Sequence, residues 1–330
     1  MSAAERAFRH VYGPVPSRRL GRSLGVDLAP FKTCAYDCVY CQLGRTTVKT
    51  AERKEYVPVE EVLSELREWL RRGEACDYIS LAGSGEPTLH SGLGTIVRAI
   101  KGMTKVPVAV LTNGSLLFMG EVQDALMEAD LVIPSLDAGD AHLFQWVNRP
   151  VEEISFDRMV EGLESFTKRF RGEVWLEVLL LEGVTAYPTQ AEKIAALVRR
   201  IGPARVQLTT ASRPPAELFA RRVSEGRLLA LASLFPGRVD VIATREEPDA
   251  SVGSSPGTGA PAILTLLERR PCTATDVAVG LGIHPNEALK VLDRLVVAGT
   301  VKTVASADRT FYIVAERGVP AGSPEGGRQR

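Results

Sequence analysis

Two hydrophobic rhythms alternate along most of this chain. Short apolar runs at residues 23–28, 78–82, 106–111, 131–136, 173–181 and 205–209 have the length of strands. Longer stretches between them carry apolar residues three or four apart. In residues 58–72 these are Val59, Val62, Leu63, Leu66, Trp69 and Leu70, one face of a helix. Residues 93–100, 121–128, 156–170, 189–200 and 215–234 read the same way, and 239–243 could add a short strand. Six strand–helix units in series predict an α/β fold with a parallel sheet and right-handed crossovers. Asn113, Ser135, Asp137 and Gly183 stand at the strands' C-terminal ends, where barrel-type folds place their sites.

The pattern changes twice. Residues 1–10 read as a flexible start, and the Pro- and Gly-rich stretch from Tyr12 to Gly21 as a loop. Residues 246–260 are Ser/Gly/Pro-rich and read as a linker. After it, helices are expected over 262–268, 273–281 and 284–298, then a hairpin of 301–304 with 310–314. Three helices with a wing resemble a winged-helix domain, spanning 261–315. Over 262–314 there are six Lys/Arg against five Asp/Glu, few for a surface that must neutralise several phosphates. Protein interaction or substrate docking is therefore favoured over DNA reading. Residues 316–330 are expected to be disordered.

Composition adds bounds. The 330 residues suffice for one large domain and a small one. Forty basic residues balance forty acidic ones, so bulk charge argues for no polyanionic partner. No apolar run reaches the roughly 20 residues of a membrane span. No signal peptide opens the chain and the cysteine count is odd, so a reducing cytoplasm is expected.

Three of the five cysteines, Cys34, Cys38 and Cys41, lie within eight residues as C-x3-C-x2-C. Thiolates packed this closely are soft ligands for metal. The spacing offers three sulfurs where a fully protein-ligated [4Fe–4S] cluster takes four. Zinc with a distant fourth ligand is the alternative, but Cys76, Cys272 and the four histidines are scattered.

With Tyr40 beside the last cysteine, the motif resembles that of the radical SAM superfamily. The resemblance covers residues 11–245 and implies a partial (βα)6 TIM-type barrel. It implies that Cys34, Cys38 and Cys41 ligate a [4Fe–4S] cluster whose fourth iron takes S-adenosylmethionine, with Tyr40 near the adenine. Gly83-Ser84-Gly85-Glu86-Pro87 resembles the superfamily's GGEP motif, whose backbone and glutamate hold the cofactor's amino group. Ser135 and Asp137 become candidates for the ribose hydroxyls and Asn113 for a further cofactor contact; for Asp137, capping the next helix is the alternative.

The activity so implied is reductive cleavage of S-adenosylmethionine to a 5′-deoxyadenosyl radical that takes hydrogen from a substrate. A flavodoxin- or ferredoxin-like electron donor is an expected partner. Arg18, Arg19, Asn148, Arg149, Glu177 and Gln207 are the candidates for substrate contact. Pro16-Ser17-Arg18-Arg19-Leu20-Gly21, with the cysteine and glycine motifs, resembles Fe–S oxidoreductases related to wybutosine-synthesis enzymes, which act on tRNA. Those carry further N-terminal cysteines, and none precedes Cys34 here. An RNA or protein substrate docked by the C-terminal domain, an activating enzyme for a glycyl-radical partner, and a non-enzymatic redox-sensing DNA-binding regulator remain open.

Overall fold

The computed structural model describes residues 8–242, 259–306 and 309–315. The chain opens with strands β1 (Val11–Ser17) and β2 (Gly21–Val26), then a small parallel pair, β3 (Thr33–Cys34) and β4 (Val48–Lys49). Helix α1 (Val59–Arg71) leads into β5 (Tyr78–Leu81), α2 (Leu93–Met103), β6 (Val108–Thr112), α3 (Gly120–Leu126) and β7 (Leu131–Pro134). Helices α4 (Ala141–Val147) and α5 (Phe156–Arg169) precede β8 (Glu173–Leu180), α6 (Pro188–Ile201), β9 (Arg205–Thr210), α7 (Glu225–Ala232) and β10 (Val239–Val241).

Eight strands form one sheet in the order β1-β2-β5-β6-β7-β8-β9-β10. From β2 onward every pairing is parallel. The sheet is that of a partial TIM-type barrel. Its strands bury both faces. Leu24, Val26, Ile79, Leu81, Val110, Val132, Leu176, Val178 and Leu208 belong to the layer shared with the helices. Leu20, Ala109, Leu131, Ile133 and Trp175, with Tyr78 and Leu111 against them, form a separate inner cluster.

The helices begin where their caps dictate. Ser155 accepts from the Arg158 N–H at the start of α5, and Lys168 and Arg169 sit in its last turn. Helix α6 starts on Pro188 and stops at Gly202, whose φ of 66° is a left-handed cap.

Two expectations are corrected. Residues 11–17 form a strand rather than a loop, antiparallel to β2 with a register shift between Tyr12 and Val15. β1 is an edge strand, where Pro14 and Pro16 remove no ladder bond that the sheet needs. The helix expected over 215–234 is confined to α7. Before it, the backbone N–H groups of Glu217 and Val223 donate to the Val39 carbonyl and the Thr210 hydroxyl. These tertiary bonds replace a helical ladder.

A second unit holds α8 (Ala260–Arg269), α9 (Ala274–Leu281), α10 (Pro285–Val297) and the antiparallel pair β11 (Val301–Ser306) and β12 (Arg309–Val314). Thr273 and Asp276 form a reciprocal cap on α9. This unit has its own core, in which Cys272 is fully buried, and Val15 of β1 packs against it. The expected linker lies mostly, and the expected tail wholly, outside the described residues, as do residues 1–7 of the expected flexible start. Among the described residues no helix is long and apolar enough to cross a membrane.

Candidate metal centre and cofactor cleft

The three-cysteine stretch leaves β3 at the C-terminal end of the sheet and is pinned from both sides. The N–H groups of Asp37 and Val39 donate to the carbonyls of Asn148 and Val147, and Val151 returns a bond to Ala35. Glu217 ties down Val39 from the other side. Arg149, at φ 47°, pairs with Glu217 at 2.6 Å and lies 3.9 Å from Asp37.

Each cysteine sulfur meets a side-chain nitrogen donor. Asn113 Nδ2 lies 3.3 Å from Cys34 Sγ, Asn148 Nδ2 3.6 Å from Cys38 Sγ, and Lys32 Nζ 3.0 Å from Cys41 Sγ. Burial pushes the Cys34 thiol up to about 12 and Cys38 well above its ordinary range. Such thiols ionise when a metal takes the proton's place. Three thiols on one short loop, with Cys76 and Cys272 elsewhere in the chain, suit a cubane, where each thiolate has its own iron. N–H donors on the sulfurs are among the groups that set such a cluster's potential. The donor set fits a [4Fe–4S] cluster.

Against Lys32 and Thr33, where the cysteine stretch begins, runs the loop that follows β5. It lies too close to its neighbours for side chains. A Cβ on Gly85 would stand 2.1 Å from the Thr33 carbonyl, and one on Gly83 2.2 Å from the Asp27 carboxyl. Ser84 gives Asp27 both its N–H and its hydroxyl, at 3.0 and 2.6 Å. Glu86 is 2% exposed, and its carboxylate already takes four donors: the Thr88 N–H and hydroxyl, the Thr112 hydroxyl and the Asn113 N–H. The carboxylate is therefore turned into the protein, linking this loop to the end of β6. Pro87 opens a short 3-10 turn behind it.

Asp137, also 2% exposed, has the same character. It accepts from the Tyr40 hydroxyl, from Asn148 Nδ2 at 2.9 Å and from the Leu179 N–H at 3.0 Å. Burial raises its carboxyl to about 6, against the pull of those three bonds. It caps no helix, since Asp140 caps α4. Ser135 bridges to Glu177 through the sheet.

The six residues expected to meet substrate lie in three places. Asn148 and Arg149 belong to the cluster loop. Arg19 and Glu177 face each other as a two-pronged pair at 2.5 and 2.6 Å, with the Thr209 hydroxyl 3.1 Å from Glu177. Gln207, aligned with Glu177 in the sheet, is 1% exposed and its Oε1 has no partner among the described residues. Arg18 reaches Ser212 and Ile242 at the sheet's open edge. Lys32 and Asp27 are the site residues the sequence did not single out. Lys32 meets Cys41 because its backbone turns to φ 57°, which nothing in the residue order announces.

A parallel barrel with three thiols on a stretch bonded to a glycine loop defines a class: iron–sulfur enzymes that hold a small cofactor against the cluster. The superfamily's family model matches residues 28–217, and the chain belongs to the radical SAM superfamily. Its cofactors are accordingly a [4Fe–4S] cluster and S-adenosylmethionine, and it is an enzyme, not a non-enzymatic regulator. A UPF0026 protein of Helicobacter pylori is 37% identical over 308 residues, covering 92% of this chain and 96% of the relative. The GTPase Obg of Brachyspira hyodysenteriae is 38% identical over 295 residues, which cover 89% of this chain but only 43% of that protein. The present chain contains no Gly-Lys pair, so a phosphate loop of the P-loop kind does not underlie that likeness. Among solved structures, a radical SAM methyltransferase from Sphaerobacter thermophilus shares the fold, with a TM-score of 0.50, 19% identity and 66% coverage of each chain.

Proposed function

We propose that this enzyme reductively cleaves S-adenosylmethionine and uses the resulting radical to take hydrogen from a substrate seated in the barrel. The observation that carries the reading is the set of three cysteine sulfurs, each beside a side-chain N–H donor, on a stretch whose start in β3 is bonded to the glycine loop. When bound, the cluster and S-adenosylmethionine supply one-electron cleavage to a 5′-deoxyadenosyl radical, with the electron coming from a flavodoxin- or ferredoxin-like donor.

The chain's residues hold and shield. Cys34, Cys38 and Cys41 are the metal ligands, and Lys32 offsets part of their negative charge. The missing Cβ atoms of Gly83 and Gly85 let this loop pack onto the Asp27 carboxyl and the Thr33 carbonyl, which fixes its backbone beside the cysteine stretch, where it would hold the cofactor's amino end. Glu86 shapes that cradle from behind by holding Thr88, Thr112 and Asn113 rather than by touching the cofactor. Asp137 holds Tyr40 and Asn148 in place and leaves Ser135 and the strand ends to line the cleft. Glu177, Arg19 and Gln207 form a polar floor below it, where a substrate would rest. We read the C-terminal unit as a winged-helix-like docking module.

Anaerobic reconstitution with iron and sulfide tests this. With dithionite and S-adenosylmethionine the chain is expected to form 5′-deoxyadenosine, and Cys38→Ala to abolish it. Equal product from wild type and variant would overturn the proposal.

A further inference from the structure

We propose that the C-terminal unit helps to build the cofactor cleft through one tyrosine. Arg269 of α8 holds the Tyr12 ring, and the Tyr12 hydroxyl fixes the backbone point from which the Gly83–Gly85 loop departs. Tyr12 is thus a positioning residue, and Arg269 acts through it. The cofactor's place on that loop rests on the function proposed above.

The register of β1 brings Tyr12 to the second unit. Tyr12 lies opposite Gly25, and Val15 lies opposite Ser23. Opposed residues of an antiparallel pair share a face, as do residues two apart on one strand. The register shift therefore puts Tyr12 and Val15 on one face of β1. Val15 packs against the core of the C-terminal unit. Tyr12 meets the same unit at α8, where the Arg269 guanidinium carbon stands 4.8 Å from the centre of its ring.

Gly25 then lets the ring cross β2. A Cβ at Gly25 would stand 2.1 Å from Tyr12 Cζ and 2.4 and 2.5 Å from the two Cε atoms. Beyond β2 the hydroxyl donates to the Ala82 carbonyl at 2.9 Å. Ala82 directly precedes Gly83, and its own N–H donates to the Val26 carbonyl. Asp27 and the Thr33 carbonyl hold the loop further on, at Ser84 and Glu86. Tyr12 holds its entry. Arg269 is fixed in turn from both units: Nη1 donates to the Thr265 carbonyl at 3.2 Å, and Nη2 to the Arg9 carbonyl just ahead of β1. A cation so held over the ring keeps it on Gly25, and a hydroxyl–carbonyl bond is directional enough to need that.

Two measurements test the clamp: calorimetric binding of S-adenosylmethionine to the reconstituted full chain, and amide exchange of the chain without cluster or cofactor. Tyr12→Phe keeps the ring and removes the hydroxyl. It is expected to weaken S-adenosylmethionine binding about three- to tenfold and to speed exchange at Ala82, Ser84 and Glu86 by a similar factor, with iron content unchanged. Arg269→Met should act in the same direction and add nothing in the Tyr12→Phe background, as expected for groups in one chain of contacts. Ser233→Ala, which removes a hydroxyl–carbonyl bond of the same length after α7, should leave both readouts as in wild type. Wild-type affinity and exchange in Tyr12→Phe overturn the proposal, as do additive effects of the two substitutions. A lowered Tm without a change at the loop marks a packing role and overturns it too. Binding of S-adenosylmethionine by wild type is scored separately. If wild type binds none, the enzymatic reading fails, while exchange in the cofactor-free chain still decides whether Arg269 and Tyr12 fix the loop.

Discussion

Lys32 is the residue whose position matters most for its size of signal. It is 3% exposed, and its amine lies 3.0 Å from Cys41 Sγ. A buried positive charge at that distance favours the reduced cluster, which carries one more negative charge. Lys32→Met should therefore lower the cluster's midpoint potential by on the order of 100 mV, read by an EPR-monitored redox titration of the reconstituted protein. An unchanged potential would mean that the amine is screened from the irons. Asp137 makes a pH-dependent prediction for the cofactor-free chain. Its carboxyl is raised from 3.8 to about 6, so the folded state favours the protonated form. The stability this group contributes is present below the unfolded value and is lost as pH rises from about 4 through 6. Asp137→Asn removes the titration. Its stability relative to wild type should thus be more favourable at pH 7 than at pH 5, measured by denaturant unfolding at both. Equal differences at the two values would refute the assignment.

At the level of elements, the loop after β5 depends on missing atoms. The Cβ of Gly85→Ala would fall 2.1 Å from a backbone carbonyl, which cannot swing aside as a side chain can. This substitution should cost about 1–3 kcal/mol of stability and reduce S-adenosylmethionine binding, measured by calorimetry on reconstituted protein. Gly73→Ala, in a turn with open space around it but a φ of 71°, serves as the comparison, with backbone strain alone and cofactor binding intact. Elements also explain which sequence readings held. The strand and helix rhythm placed the seven parallel strands because each strand's side chains alternate between two apolar layers. It missed β1 and overextended α7. A proline-bearing edge strand and an amphipathic stretch broken by tertiary bonds both mislead a reading based on local periodicity.

On the scale of the whole molecule, Arg213 joins three parts of the chain that lie far apart in sequence. Arg213→Ala removes a bond to Pro271, the approach to Asp276 and the contact with Gln42. A loss of about 1.5–3 kcal/mol is expected from such a charged group. Faster amide exchange should appear in α9 and β1, which lie against each other, and not in α5. Uniform protection in α9 would show that the C-terminal unit is held without Arg213, by contacts such as Val15 in its core and Arg269 on the Arg9 carbonyl.

Residue types and spacing were enough to determine the three thiol ligands, the glycine loop and the α/β order of elements. Those features are local: a C-x3-C-x2-C run, a strand ending in glycines and a periodicity can each be read within a few residues. Only the folded chain decided what the polar candidates do. Glu86 and Asp137 stand in the expected motifs, yet their carboxylates face inward onto donors from β6, the cluster loop and β8. Arg19 and Glu177, separate candidates in the sequence, are one ion pair, and Asn148 is bound to Cys38 and Asp137. A carboxylate or guanidinium takes its role from the partner it meets. Partners 11 to 158 residues away are chosen by the closure of the sheet, not by the order of residues along it.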